Sequence, residues 1–295
     1  MATLKTLVLG GYGNFGARIC RALAGDPATH HGIELLVAGR DATRAQALAH
    51  TLGHGAQGIA QAPRMQHAHR VGTQLQARAD LLPQDVAVFA RAGLKKVTEF
   101  QDLAYGRAYL DRVQTVLAQD RAPYAFTREA AKYIAIAMAY DDIIRVADLK
   151  TRARRFDRIR SEMRVKEANV LHLTEFFHPR AEEIVGLFPA RLGARLEADP
   201  KWMARLTRWF DKGRRLRTDS LPAFLVLHIL GGLKGWRLRT LRHAQEQAHL
   251  ARWLETALAE TTRNYDLAVE LIRCRRLIKG YSDTHARGTS KFDRV

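Results

Sequence analysis

The sequence predicts a mainly α protein: an all-α bundle over residues 83–295, preceded by a truncated βαβ(α) unit. Three observations predict it. Apolar runs of strand length stand only ahead of residue 53, the periodic stretches after Pro83 repeat at helical spacing, and capping residues punctuate that second part. The 295 residues, 47% of them hydrophobic, can bury the cores of two modest domains, which excludes disorder as a description of the chain.

Residues 4–9 (Leu-Lys-Thr-Leu-Val-Leu) read as a buried strand, followed by glycines and by the helical pattern Ala17, Ile19, Cys20, Leu23. A second strand is expected over 33–38 and a second helix over 42–52, which makes a βαβ unit with one further helix in residues 1–52. Residues 53–82 are rich in Gly, Gln, His and Ala and have no period of two or 3.6. Within them, 55–62 are poor in the β-branched residues that a third strand favours. The segment 53–82 is therefore predicted as a linker, and the α/β unit as incomplete.

In the helical part, Thr98-x-x-Gln101 reads as a capping box that opens a helix through Phe100, Leu103, Val113, Val116 and Leu117. Thr127 is predicted to open a longer helix through Ile134, Met138, Ile143, Val146 and Leu149 into a basic stretch ending near Met163. Asp199 and Pro200 start a helix with Trp202, Leu206, Trp209 and Phe210 on one face, ended by Gly213. Ser220 and Pro222 open an apolar helix expected in the core. Thr240 starts the next, with Leu241, Ala244, Ala248, Ala251, Leu254 and Leu258, and Asn264 caps a last helix expected to end at Lys279 before Gly280.

Composition narrows the function classes. No apolar run approaches the roughly 20 residues a bilayer needs, so no membrane span is expected. Glycines interrupt the apolar start where a signal peptide would continue. Only Cys20 and Cys274 are present, which excludes a disulfide framework or a Cys-held iron–sulfur cluster within the chain and points to the reducing cytoplasm. The 48 Lys and Arg against 30 Asp and Glu give a formal charge of +18, which attracts nucleic acid, anionic lipid or an acidic protein. Most of the cations are Arg, the residue that pairs best with carboxylates at interfaces, so a partner subunit could absorb the excess.

Gly11-Tyr12-Gly13-Asn14-Phe15-Gly16 is a G-x-G-x-x-G between an expected strand and an expected helix, where backbone can approach a pyrophosphate and a helix N-terminus can face it. At the end of the second strand, Gly39-Arg40-Asp41 places an Arg where a 2′-phosphate would lie, so Arg40 favours NADP over NAD. Gly11, Gly13, Asn14, Phe15, Gly16 and Arg40 are the candidate cofactor-binding residues of a truncated Rossmann-like unit. The runs Leu7-Val8-Leu9-Gly10-Gly11-Tyr12-Gly13-Asn14-Phe15-Gly16 and Val37-Ala38-Gly39-Arg40-Asp41 resemble the start of the NADP-binding domain of the saccharopine dehydrogenase-like family, over about residues 3–52. The family's later strands and substrate domain are not recognisable downstream.

From about residue 80 to the end, the chain resembles the C-terminal region of the indolepyruvate ferredoxin oxidoreductase beta subunit. Four runs carry the resemblance: 95–102 (Lys-Lys-Val-Thr-Glu-Phe-Gln-Asp), 138–150 (Met-Ala-Tyr-Asp-Asp-Ile-Ile-Arg-Val-Ala-Asp-Leu-Lys), 174–180 (Thr-Glu-Phe-Phe-His-Pro-Arg) and 276–288 (Arg-Leu-Ile-Lys-Gly-Tyr-Ser-Asp-Thr-His-Ala-Arg-Gly). The resemblance implies a helical, non-catalytic part of an enzyme that decarboxylates an aryl pyruvate, transfers the acyl group to coenzyme A and passes electrons to ferredoxin. It places thiamine diphosphate and iron–sulfur chemistry mainly in a partner subunit. The α/β oxidoreductase domain that precedes this region in the family is replaced here by the saccharopine dehydrogenase-like start, so the chain reads as a fusion or a fragment. The alternatives are an NADP-binding oxidoreductase using the glycine motif and a basic helical nucleic-acid binder.

Three further groups bring together residue types that can carry chemistry. Lys279, Asp283, His285 and Arg287, in the stretch 279–288 with its glycines Gly280 and Gly288, read as an ion-paired loop rather than an anion grip, because a helix C-terminus disfavours anions. His243, Glu246 and His249 recur every three residues on one helix and read as surface polar residues, since that spacing rotates around the axis and further metal ligands are not evident. Arg152, Arg154, Arg155, Arg158, Arg160 and Arg164, then Arg214, Arg215 and Arg217, could track phosphates, with Trp209 or Trp236 offering a stacking face. The tryptophans are instead expected at core positions, and Asp157 and Glu162 as helix partners of the first run. No nucleophile–base pair stands out, so no catalytic residue is assigned.

Overall fold

The apolar run Leu4–Leu9 forms strand β1, and the chain alternates from there: helix α1 (Asn14–Gly25), β2 (Ile33–Gly39), α2 (Ala42–Leu52), β3 (Gln57–Ala60) and α3 (Pro63–Asp80). The computed structural model describes residues 4–9, 14–25, 33–39, 42–53, 56–60, 63–165, 172–177, 179–210, 214–218, 220–280 and 283–294. The chain divides into two units, Met1–Gln74 and Leu75–Val295. Helix dominates the described residues.

In the first unit β2 lies between β1 and β3, and both pairings are parallel. Thr6 and Val8 stand beside Leu35 and Val37. Period-two alternation sends Leu35 and Val37 to one face, where they are buried with Cys20 of α1 and Ala45 and Ala49 of α2. The linker expected at 53–82 is corrected by β3 and α3, and so is the two-strand count. The ladder Leu36–Gln57 to Gly39–Ala60 makes a strand out of residues with little β-propensity. The Gln, Ala and Arg that looked featureless in 63–80 are good helix formers.

The second unit takes in the end of α3 from Leu75 and continues with α4 (Gln84–Phe100), α5 (Leu103–Leu117) and α6 (Ala125–Met138), which pack on one another. α4 and α5 approach closely at Gly93, where a Cβ would sit 2.2 Å from the Tyr109 hydroxyl oxygen. That hydroxyl donates to the Ala131 carbonyl of α6 at 2.7 Å. The capping box expected at Thr98 is corrected: α4 runs through Thr98, and Asp102 is the N-cap of α5, accepting from the Tyr105 N–H at 2.8 Å. The start of α6 is held by Asp120, which accepts from the Thr127 N–H at 2.8 Å and from the Tyr265 hydroxyl at 2.8 Å.

The single helix expected from Thr127 to Met163 is three: α6, α7 (Ile143–Thr151) and α8 (Ala153–Glu162). Asp142 leaves the helix and caps α7, accepting from the Arg145 N–H at 2.6 Å. Then come β4 (Thr174–Phe177), α9 (Ala181–Val185), α10 (Ala190–Glu197), α11 (Pro200–Phe210) and β5 (Arg214–Arg217). β4 and β5 pair antiparallel, which corrects the all-helical expectation for this part.

The last stretch holds α12 (Leu221–Gly232), 3-10 turns at Leu233–Gly235 and Arg237–Arg239, α13 (Leu241–Glu260), α14 (Tyr265–Arg273), a 3-10 turn at Cys274–Leu277 and α15 (Asp283–Phe292). Asp199, Thr240 and Asn264 accept from the first-turn N–H groups of α11, α13 and α14, as their residue types predict. α14 stops at Arg273 rather than Lys279, and the loop expected over 279–288 holds the start of α15. α12 packs on α7 but buries only Leu227 among its large side chains, which corrects its placement in the core. No helix among the described residues is long and apolar enough to cross a membrane.

Candidate functional site

Two polar networks occupy the interior of the second unit. The first surrounds Arg237, on the 3-10 turn after α12 and 1% exposed. The C-terminal carbonyls of α4 have no partners within their helix, and the helix dipole there favours cations. Arg237 Nη1 donates to the Phe100 carbonyl at 2.7 Å, and Lys234 Nζ donates to the Glu99 carbonyl at 2.9 Å. Arg237 also forks onto Asp142, with Nε to Oδ2 at 2.8 Å and Nη2 to Oδ1 at 3.4 Å, and its guanidinium lies 4.1 Å from the Phe100 ring centre. Asp142 thus caps α7 and neutralises the buried cation at once. Nearby, the Tyr140 hydroxyl and His243 Nδ1 are 3.1 Å apart, and Gln247 bridges Arg112 and the Tyr105 hydroxyl at 2.8 and 3.0 Å. Burial pushes the Tyr105 and Tyr140 phenols up, and burial together with the charges of Arg112 and Arg237 pushes the His243 imidazole down. Both phenols and His243 are therefore neutral near pH 7.

The second network lines a cleft of about 570 Å³ between α9, α13 and α15. Positions 242, 246 and 249 of α13 share one face, and 285, 289 and 293 meet them from α15 and the turn after it. Glu246, 7% exposed, accepts from Arg242 at 2.8 Å and lies 3.2 Å from His285 Nε2, with Arg275 Nη2 at 3.7 Å. Burial raises the Glu246 carboxyl, but the His285 hydrogen bond and the charges of Arg242, His285 and Arg275 outweigh it and hold the group below the usual carboxylate range. His249 Nε2 lies 3.5 Å from Asp293 without hydrogen-bond geometry, and its imidazole is pushed down by burial and by Arg275. Among the described residues, Arg275 Nε and Nη1 also have no hydrogen-bond partner, and burial lowers that guanidinium. α15 is seated closely here: a Cβ at Gly288 would come 2.7 Å from the Leu277 carbonyl.

These positions correct the surface reading of His243, Glu246 and His249. Glu246 is buried, and the three side chains diverge: His243 turns to Tyr140, Glu246 to Arg242 and His285, His249 toward Asp293. The i,i+4 spacing of Arg242 and Glu246 is the signal that could have announced the pair. His285, expected in an ion-paired loop, is paired with Glu246, but from a helix. Asp141-Asp142 ahead of Ile143 has the form of an N-cap, the available signal for the break before α7.

α1 begins at Asn14, so Asn14, Phe15 and Gly16 form its first turn. Gly11, Gly13 and Arg40 lie outside the described residues. In the first basic run, Arg152 pairs with Glu99 and Asp148, Arg155 with Glu175, and Arg158 with Glu162. Those carboxylates compete with any phosphate for the run. Trp209 is 72% exposed rather than in the core, and Trp236, half-buried at the surface, donates its Nε1–H to the Leu187 carbonyl at 3.1 Å.

Fold and interior together define a helical protein whose buried charges are tied to one another. Residues 86–295 match a family of unknown function, DUF6537, and the chain belongs to that family. No curated protein and no solved structure matches the chain.

Proposed function

We propose that the second unit is the helical, non-catalytic part of a 2-oxoacid ferredoxin oxidoreductase subunit of the indolepyruvate beta type, joined to the N-terminal α/β unit as a fusion or fragment. The observation that carries this is where the four runs of resemblance fall. Glu99 of the first pairs with Arg145 of the second at 3.6 Å, Lys150 of the second pairs with Glu175 of the third at 2.9 Å, and His285 of the fourth meets Glu246. Residues shared with that enzyme through its architecture would make such framework pairs. In this reading thiamine diphosphate, iron–sulfur clusters and the encounter with ferredoxin belong to a partner oxidoreductase subunit, and the chain works in the cytoplasm. Purified alone, it should show no ferredoxin reduction dependent on aryl pyruvate and coenzyme A, and it should co-purify with the thiamine-dependent partner when the two are co-expressed. Turnover by the isolated chain, or no complex with the partner, contradicts the reading.

A second reading, NADP binding of the saccharopine dehydrogenase-like type, is supported by the parallel order of β1, β2 and β3 and by the start of α1 at Asn14, directly after the glycine run. A helix N-terminus in that place favours a phosphate. Calorimetry should then show tighter binding of NADPH than of NADH, with the preference erased by Arg40→Ala and all binding lost on replacing Gly13 by a bulky residue. No heat at millimolar NADPH contradicts it.

A further inference from the structure

A second chamber, of about 310 Å³, adjoins the cleft between α9, α13 and α15, and the two share His249, Arg252 and Asp293 as lining residues. Positions 249, 252, 253 and 256 fall three and four apart on α13, so one face of that helix supplies this wall. Leu271 of α14, Cys274 of the 3-10 turn and Phe292 of α15 complete the chamber with Trp253. These four bring no charge. The Trp253 indole N–H is taken up by the Leu271 carbonyl at 2.9 Å, and burial pushes the Cys274 thiol up, so it stays protonated near pH 7. A chamber of this size and lining suits the apolar part of a small molecule.

The charges of the larger cleft divide into those that are paired and those that are not. Arg242 and His285 are tied to Glu246, and Arg180 and Glu183 have partners. On the shared wall, the Arg252 guanidinium makes no hydrogen bond or ion pair among the described residues. The Asp293 carboxylate, 60% exposed, has beside it only His249 Nε2, at 3.5 Å and outside hydrogen-bond geometry. That imidazole is held neutral near pH 7, so it does not cancel the carboxylate. Its Nε2 is buried without a partner, a polar atom that a bound molecule would satisfy. One unpaired cation and one unpaired carboxylate therefore stand on the wall that the apolar chamber shares with the cleft. A simple carboxylic acid would gain from Arg252 and be repelled by Asp293, and a simple amine the reverse. A zwitterion gains from both.

We propose that the two chambers bind a free α-amino acid with a large apolar side chain, its carboxylate on Arg252, its ammonium on Asp293 and its side chain among Trp253, Leu271, Cys274 and Phe292. This site stands apart from the oxidoreductase reading, and neither rests on the other. Calorimetry on the full chain at pH 7 tests it with L-leucine and L-phenylalanine as probes. Glycine, 4-methylpentanoate and 3-methylbutylamine serve beside them, lacking in turn the side chain, the ammonium and the carboxylate of leucine. The expected result is that at least one probe binds and that each truncated compound binds at least tenfold more weakly. R252Q and D293N should each weaken the probe at least tenfold while melting like the parent, because both side chains are exposed. No heat from either probe at millimolar concentration overturns the proposal. So does binding that any truncated compound matches, and so does binding that either variant leaves unchanged, which puts the ligand elsewhere.

Discussion

Helices α12 and α13 are separated only by two short 3-10 turns, and each inverts what its composition suggests. α12 has no charged residue yet exposes Leu221, Leu225, Val226 and Ile229. α13 has charged and polar residues along its length, yet buries Glu246 beside Leu250 and Trp253. The difference lies in what each face finds. Glu246 finds two guanidiniums and an imidazole within 3.7 Å, which makes a buried carboxylate tolerable. The outer side of α12 finds no such partners among the described residues and leaves Leu225, Val226 and Ile229 at least half exposed. Hydropathy records a preference, and the available partners decide the outcome.

The comparison breaks most sharply at the buried charges. Arg237→Ala should cost about 3–5 kcal/mol, because it strands Asp142 in the interior and uncaps the Phe100 carbonyl at the end of α4. Urea unfolding of the variant measures this, and a loss below 1 kcal/mol would mean that the fork carries little of the fold. Glu246→Gln should cost about 2–3 kcal/mol, since it leaves Arg242 and Arg275 without a counter-charge but keeps a hydrogen-bonding side chain.

Much of this contrast is hidden from the sequence for a physical reason. Signals that act within a few residues were legible: the runs at 4–9 and 33–38, helix 42–52, and the caps Asp199, Thr240 and Asn264 all stand as their local chemistry predicts. What depends on a distant partner was not. The break before α7 brings Asp142 to Arg237, 95 positions away, and its one local mark, the N-cap form of Asp141-Asp142, is outweighed by a helical periodicity that runs through it. β3 draws on the β2 ladder rather than on its own residues. Glu246 looked like a surface group because Arg275 and His285 reach it from the far end of the chain.

Acid should sharpen the difference between the interior and the bare helix. His243 and His249 are held below their ordinary value of 6.5, so below that pH the unfolded chain takes up protons that the native one resists, and stability falls as pH drops through the window beneath 6.5. Glu246, held below the usual carboxylate range, adds stability above its unfolded pKa that is lost as pH falls through its folded one. Asp141, raised by burial, works in the opposite sense over the carboxylate range. The melting temperature should therefore decline from pH 7 to pH 5, and His243→Gln should flatten that decline. A profile that is level across this range would show that the buried imidazoles do not couple to folding.

The smallest effect belongs to α12. Ile229→Gln should change the stability of the free chain by no more than about 0.5 kcal/mol, because the side chain is 58% exposed and sits on the side away from α7. The most direct test sets this variant beside Glu246→Gln in one series of urea titrations at pH 7. The contrast predicts that the glutamate change lowers the unfolding free energy by at least about 2 kcal/mol while the isoleucine change leaves it within about 0.5. The reverse order, with the apolar residue costing more than the charged one, would contradict the claim that α13 belongs to the interior of this protein and the outer side of α12 to its surface.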